Sequence, residues 1–227
     1  MNIVITGCSK GIGFELVKIW SKNHKVYGIS RNREKLESLR ASLSNPANFK
    51  FLSKDIVSLN QHDIKNFIKD SKVDILVNNA GHLINKPFRE IKYDDYRKLM
   101  DVNFWGAFNL SQLLVKKLSN AKGQIINISS MGGVNYTSKF PGLSLYSSSK
   151  AALSVFTECL AVELESEQVK VNALALGAVE TEMLNNAFPG YVADTKAHEM
   201  ASFIVEFANS SSNIINGQVI RVSKSNP

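Results

Sequence analysis

Tyr146 and Lys150 stand four residues apart in the stretch "LYSSSKAAL". In an α-helix, side chains at i and i+4 lie on one face, so this spacing sets a phenol beside a cation. An isolated tyrosine titrates near pH 10, with its pKa at about that value. A neighbouring positive charge favours the phenolate and would make the side chain useful for moving a proton. The same pair also suits an ordinary solvated stripe, because Tyr-x-x-x-Lys arises often by chance. What the rest of the chain supplies decides between the two.

A second candidate is "TGCSKGIG", Thr6 to Gly13, where Gly7, Gly11 and Gly13 follow an apolar run and open a helical one. Gly7 permits a tight turn, while Gly11 and Gly13 let the backbone approach a pyrophosphate at a helix N-terminus. The spacing is G-x-x-x-G-x-G, and a glycine turn of this kind can also be purely structural. The next apolar run ends in "ISRNREKL", with Ser30, Arg31 and Asn32 where an NAD-binding domain carries an acid for the adenosine ribose. A guanidinium matches a phosphate bidentately, and Lys10 can add a second cation, so the pattern points to NADP(H). Read plainly, Arg31 and Arg33 are charges at a helix entry.

These residues need a frame. "NIVIT", "KVYGIS", "FKFLS", "VDILVN", "GQIINIS", "VKVNALAL" and "GQVIRV" read as strands buried on both faces. Helical patterns lie between them near 11–23, 33–43, 60–70, 93–118, 146–166 and 195–209. Such alternation implies right-handed βαβ units. The expected architecture is an α/β Rossmann-type doubly wound parallel sheet of about seven strands, with helices on both faces, in a single domain over 1–227. Ligands in such folds bind beyond the carboxyl ends of the strands. In helix 146–166, Ala152, Val155, Phe156, Cys159 and Leu160 form an apolar face for the core or a partner.

At 227 residues, 44% hydrophobic and 21% charged, the chain has material for one large core and lacks a disordered composition. Cys8 and Cys159 suggest neither a disulfide framework nor zinc ligands, and His24, His62, His82 and His198 lack metal spacing, so no metal is expected. "MNIVITG" runs straight into a strand, leaving no room for a signal peptide, and no apolar run has membrane-spanning length. A cytoplasmic protein without a membrane partner is expected. Residues 1–72 carry 13 Lys/Arg against 6 Asp/Glu, whereas residues 73–227 carry 14 of each. The basic half could receive a polyanion or be a solvated lysine-rich surface. No recognition motif or aromatic stacking series favours nucleic acid.

Taken together, Thr6-Gly7-x-x-x-Gly11-x-Gly13, Asn78-Asn79-Ala80-Gly81, Asn103, Ser130 and Tyr146-x-x-x-Lys150 resemble the short-chain dehydrogenase/reductase family in order and strand position. The resemblance runs from residue 3 to about residue 183, with a weaker tail in "INGQVIRV". It implies hydride transfer between a nicotinamide and a carbonyl or secondary alcohol. Tyr146 would be the general acid or base, Lys150 would polarise it and hold the nicotinamide ribose, and Ser130 would donate to the substrate oxygen. Asn103 would hold a water linking Lys150 to solvent. The implied cofactor residues are Gly7, Ser9, Lys10, Gly11, Ile12 and Gly13 in the glycine turn, and Arg31 and Asn32 at the adenosine phosphate. Asp55 and Ile56 belong at the adenine, Asn79, Ala80 and Gly81 along the adenosine ribose, with Tyr146, Lys150, Val179 and Thr181 toward the nicotinamide. A small-molecule substrate is implied, as is a homodimer or homotetramer formed through helices 93–118 and 146–166.

Two departures bear on that expectation. In "ALGAVETEM", Leu176 stands where the family has proline, while Gly177, Val179, Thr181 and Met183 fit. Proline would fix φ, so leucine should leave the loop freer. The lid segment "LNNAFPGYVADTKAHEM" is short, which motivates an alternative reading as a catalytically quiet dinucleotide-binding protein. Substrate loops are expected near 131–145 and 177–198, with Tyr136, Phe140 and Leu143 as pocket walls or as plain loop packing.

Overall fold

The described residues, 1–210 and 214–224 of a computed structural model, contain nine strands and eight α-helices. The strands are β1 (Asn2–Thr6), β2 (Lys25–Ser30), β3 (Phe49–Ser53), β4 (Ile75–Asn78), β5 (Gln124–Ser130), β6 (Lys170–Leu176), β7 (Val179–Glu180), β8 (Thr195–Lys196) and β9 (Val219–Val222). Seven form one parallel sheet in the order β3-β2-β1-β4-β5-β6-β9. The chain moves outward from β1 in one direction, then returns to build the other half from β4. That reversal opens a crevice at the carboxyl ends of β1 and β4, the position for a ligand in this architecture.

The helices are α1 (Gly11–Trp20), α2 (Arg33–Ser42), α3 (Gln61–Phe67), α4 (Tyr93–Met100), α5 (Gly106–Ala121), α6 (Ser144–Glu163), α7 (Glu182–Ala187) and α8 (Ala197–Ser210). Successive strand residues point to opposite faces, so β1 feeds two cores. Ile3 and Ile5 pack with Leu16 and Val17 of α1 and with Met200 and Ile204 of α8. Val4 packs on the other face with Leu110, Leu114 and Leu118 of α5, and with Ala161 of α6. This is a single Rossmann-type domain with helices on both sides of the sheet. Among the described residues, no helix is long and apolar enough to cross a membrane.

Several local features differ from the sequence expectation. The helix expected over 93–118 is α4 and α5 joined by a π-helical turn at Asp101–Trp105. Such a turn widens the backbone spacing and often marks a functional position; Asn103 lies within it. The helix over 146–166 starts at Ser144 and ends at Glu163. Its apolar stripe at Val155 and Cys159 faces outward, and its inner face carries Lys150, Leu153, Ser154, Thr157 and Ala161. The short helix α7 and the two-residue pair β7–β8 lie in the expected lid region, where the strands are too short to show a pattern.

The expectation that Leu176 frees its loop is corrected. Leu176 is the last residue of β6, in register with Ser130 on one side and Val222 on the other. It is buried in the core that includes Val179, and the next residue, Gly177, donates its N–H to Val222 O at 2.9 Å. Strand pairing holds this approach in place of proline.

Candidate active site

The glycine turn is fastened to the end of β4 by side chains as well as by the sheet. Thr6 Oγ1 accepts from the N–H groups of Asn79 and Ala80 at 3.0 and 2.9 Å. Asn79 Nδ2 returns the contact, donating to the carbonyls of Thr6 and Gly7. A Cβ at Gly13 would stand 2.6 Å from both Gly7 O and Asn79 Nδ2, and Gly7 has φ +67°, so the tight approach requires glycine at both positions. The Asn78–Asn79 pair therefore builds the crevice wall. Asn78 donates across the sheet to Asn127 Oδ1 at 2.8 Å, and Asn127 donates to Thr157 of α6 at 2.8 Å. This chain of buried hydrogen bonds sets α6 against the centre of the sheet.

Lys150 is held on the inner face of α6. Its side chain is buried, and Nζ donates to Ile128 O of β5 at 2.8 Å. Burial pushes the ammonium pKa down to about 8. Tyr146, one turn earlier, is partly buried and hydrogen-bonded to Ser130. Burial raises its phenol above the ordinary value, and the Ser130 contact only partly offsets this. The expectation that Lys150 makes this phenol acidic is not what the protein atoms alone produce. Desolvation outweighs the Ser130 contact, so this environment favours the protonated phenol more than water does. Ser130 Oγ also accepts from Gly132 N at 3.2 Å, which orients the hydroxyl at the end of β5.

Asn103 stands nearby with its polar atoms engaged. Oδ1 accepts from His82 N at 2.7 Å, and Nδ2 donates to His82 O at 2.9 Å and to Ser149 Oγ at 2.8 Å. Both Nδ2 protons are used, so one Oδ1 lone pair is what this amide has left to offer. Asn103 thus clamps the segment after Gly81 and ties it to α6. A Cβ at Gly81 would lie 3.5 Å from both Asn103 Oδ1 and Lys150 Nζ, so the bare glycine keeps open a space that these two groups face.

The adenosine side of the crevice is more exposed. Arg31 Nη1 lies 3.8 Å from Asp55 Oδ2, and Asp55 Oδ1 accepts from Val57 N at 3.1 Å. Ser30 Oγ donates to Ser9 Oγ at 2.9 Å, linking β2 to the glycine turn. Asn32 caps α2 by accepting from Lys35 N at 2.8 Å. Ile12 packs against the α1 core and Ile56 is buried. Thr181 caps α7, and its Cγ2 is 3.4 Å from where a Cβ at Gly11 would sit. No side chain caps α1 and its first turn holds no acid, leaving the helix N-terminus open to an anion. The glycine cradle, the bare α1 terminus, the space at Gly81 and the nearby cations together fit a phosphorylated dinucleotide. Among the described residues, no cluster of three or more His, Cys, Asp or Glu residues fits a metal ion.

Three segments, after β4, before α6 and at the end of α7, meet through hydrogen bonds. Asn85 Nδ2 donates to Ala187 O at the end of α7, and Lys86 N donates to Gly142 O. A groove of about 640 Å³ is lined by Pro87, Phe88, Phe140, Leu143 and Ser147, among others. Phe140 and Leu143 are on this wall, whereas Tyr136 is 97% exposed and points to solvent. Sequence reasoning missed Lys35, His82, Asn85, Ser149 and Glu182. Lys35 and Glu182 meet across 147 positions of chain, and no local spacing signals such a contact.

Comparison with known proteins agrees with this geometry. A family model described as short chain dehydrogenase matches residues 1–191. The chain is 31% identical over 211 residues to a fatty acyl-CoA reductase of Acinetobacter baylyi, covering 89% of this chain and 70% of that protein. Its structure resembles ElxO with NADP bound at a TM-score of 0.85 and 31% identity, covering 97% and 96% of the two chains. It shares its fold, at a TM-score of 0.84 and 23% identity over 97% and 96%, with a 3-ketoacyl-(acyl-carrier-protein) reductase from Brucella melitensis complexed with NADH. The protein belongs to the short-chain dehydrogenase/reductase family of oxidoreductases.

Proposed function

We propose that this protein is an NADP(H)-dependent oxidoreductase acting on a carbonyl or secondary alcohol, with Tyr146 as the proton donor and acceptor. The observation that carries the reading is the Tyr146–Ser130 hydrogen bond beside a buried Lys150 ammonium, at the carboxyl end of the central strands. When bound, the cofactor supplies hydride to the carbonyl carbon or takes it from the alcohol. Ser130 donates a hydrogen bond to the substrate oxygen and holds it beside Tyr146. In reduction Tyr146 gives its phenolic proton to that oxygen, and the resulting phenolate is stabilised by Lys150. Asn103 positions His82 and α6, and its remaining Oδ1 lone pair can hold a water through which the proton is replaced.

On this reading the cofactor is held by Gly7, Ser9, Lys10, Gly11, Ile12 and Gly13, by Asp55, Ile56, Asn79, Ala80 and Gly81, and by Tyr146, Lys150, Val179 and Thr181. Arg31 and Lys10 favour the 2′-phosphate, with Asn32 at the turn between them and α2. The NADP bound by ElxO supports that choice. The fatty acyl-CoA reductase relative and the groove beside Phe88 and Phe140 support a substrate with an apolar arm. Segments 131–145 and 177–198 act as the substrate loops. Exposed Trp105 of the π-helical turn, with Val155 and Val162 of α6, supports a homodimer or homotetramer.

Tyr146→Phe removes the proton and leaves the ring. The variant should still bind NADPH in a calorimetric titration while kcat for carbonyl reduction falls by about 10²- to 10⁴-fold. Unchanged turnover on a ketone or aldehyde that the wild type reduces would remove this mechanism.

A further inference from the structure

Two cations from separate elements meet beside the glycine turn, Lys10 within it and Lys35 in the first turn of α2, while Arg31 follows β2 and lies near Asp55. A carboxylate from the lid reaches into this group. Glu182, the first residue of α7, places Oε1 2.6 Å from Lys10 Nζ and Oε2 3.4 Å from Lys35 Nζ. All three side chains remain 44–49% exposed, so these are open contacts rather than a buried structural pair. Two ammonium groups that share one carboxylate can equally share one phosphate group, which presents more oxygens and more charge.

We propose that Glu182 is a specificity-determining residue whose carboxylate competes with the adenosine 2′-phosphate of NADP(H) for Lys10 and Lys35. The inference rests on the NADP(H) reading above. Glu182 lowers the gain that the two lysines give to a 2′-phosphorylated cofactor. Displacing it needs only side-chain rotation, because the Thr181 cap holds the start of α7 independently, through Oγ1 accepting from Leu184 N. NADH has no 2′-phosphate and does not enter this competition. Lys35 becomes a phosphate contact in its own right, beside Lys10 and Arg31. The lid therefore acts at the adenosine end of the crevice as well as over the substrate.

Calorimetric titration of the full chain with NADPH, NADH and adenosine 2′,5′-bisphosphate tests this directly. E182Q should tighten NADPH and the bisphosphate by about two- to fivefold, the scale of exposed ion pairs, and leave NADH unchanged. The gain should shrink in high salt, which screens exposed charges. In the E182Q background, K35Q should cost more NADPH affinity than it does in the wild type. Wild-type preference for NADPH with no change in E182Q, or an equal change for NADPH and NADH, would overturn the inference alone. Wild-type protein that binds NADH as tightly as NADPH would overturn the cofactor reading, and the inference with it.

Discussion

Lys150 keeps an ammonium group inside the protein at 4% exposure, and the fold works against that charge. Its pKa of about 8, against an ordinary 10.5, means that the unfolded chain holds a proton that the folded chain releases between those values. Stability therefore rises with pH across this window, and the penalty is complete below pH 8. The penalty is roughly 3 kcal/mol from the size of the shift. Lys150→Met removes the titration, so its melting temperature relative to wild type should be highest below pH 8 and decline toward pH 10.5. A difference that stays constant across the window would show that the ammonium is not strained. At this scale the sequence was informative about chemistry. Tyr146 and Lys150 stood out by type and spacing, whereas Ser130 and Asn103 were named only through the family resemblance. Glu182, Lys35 and Ser149 were not readable, since their importance lies in partners remote along the chain.

The break between α4 and α5 gives the elements their clearest mechanical role. The π-helical turn presents Asn103 sideways to His82 and Ser149, joining the loop after β4 to α6. Ser149 also donates to Tyr146 O at 2.7 Å, so one hydroxyl serves the turn and α6 together. Ser149→Ala leaves an Asn103 proton without its buried acceptor and should lower unfolding free energy by about 1–3 kcal/mol in urea titrations. A neutral result would mean that Asn103 is anchored by His82 alone. The hydrophobic pattern showed one helix across 93–118 because a π turn adds a residue without interrupting apolar spacing. Among the seven main strands, β1, β2, β4, β5 and β6 were legible because both their faces are buried, while the edge strands β3 and β9 are only partly buried and were read from their apolar residues. The β7–β8 pair and α7 were not, because elements of two to six residues carry too few periods to detect.

Across the whole molecule, the outer face of the π-helical turn, the start of α5 and α6 gathers apolar groups. Phe104, Phe108 and Phe156 pack together, with Trp105 stacked on Phe108 at 5.7 Å between ring centroids. Trp105 is 43% exposed, Val155 58% and Val162 73%. A pairing of this face with its copy would remove these groups from water. Light scattering should give at least a dimeric mass for the wild type, and Val155→Glu should shift the mass toward the monomer. A monomeric wild type at working concentration would refute this assembly. The sequence suggested such a face but left open whether it turned inward, since a stripe of Ala152, Val155, Phe156, Cys159 and Leu160 reads alike in either setting. Strand order was not readable from the sequence, because pairings such as β6 with β9 have no local signature.

That last pairing has a consequence for biosynthesis. A nascent chain emerging from the ribosome can assemble the order β3-β2-β1-β4-β5-β6 before Val219–Val222 is available. Until then the far side of β6 is an unpaired edge able to recruit another chain. The Gly177–Val222 hydrogen bond that steadies the chain leaving β6 also forms only at this late stage. A chain truncated shortly before Val219 would therefore carry its glycine turn but leave β6 with an open edge and the segment after it unanchored, prone to sticking to its neighbours.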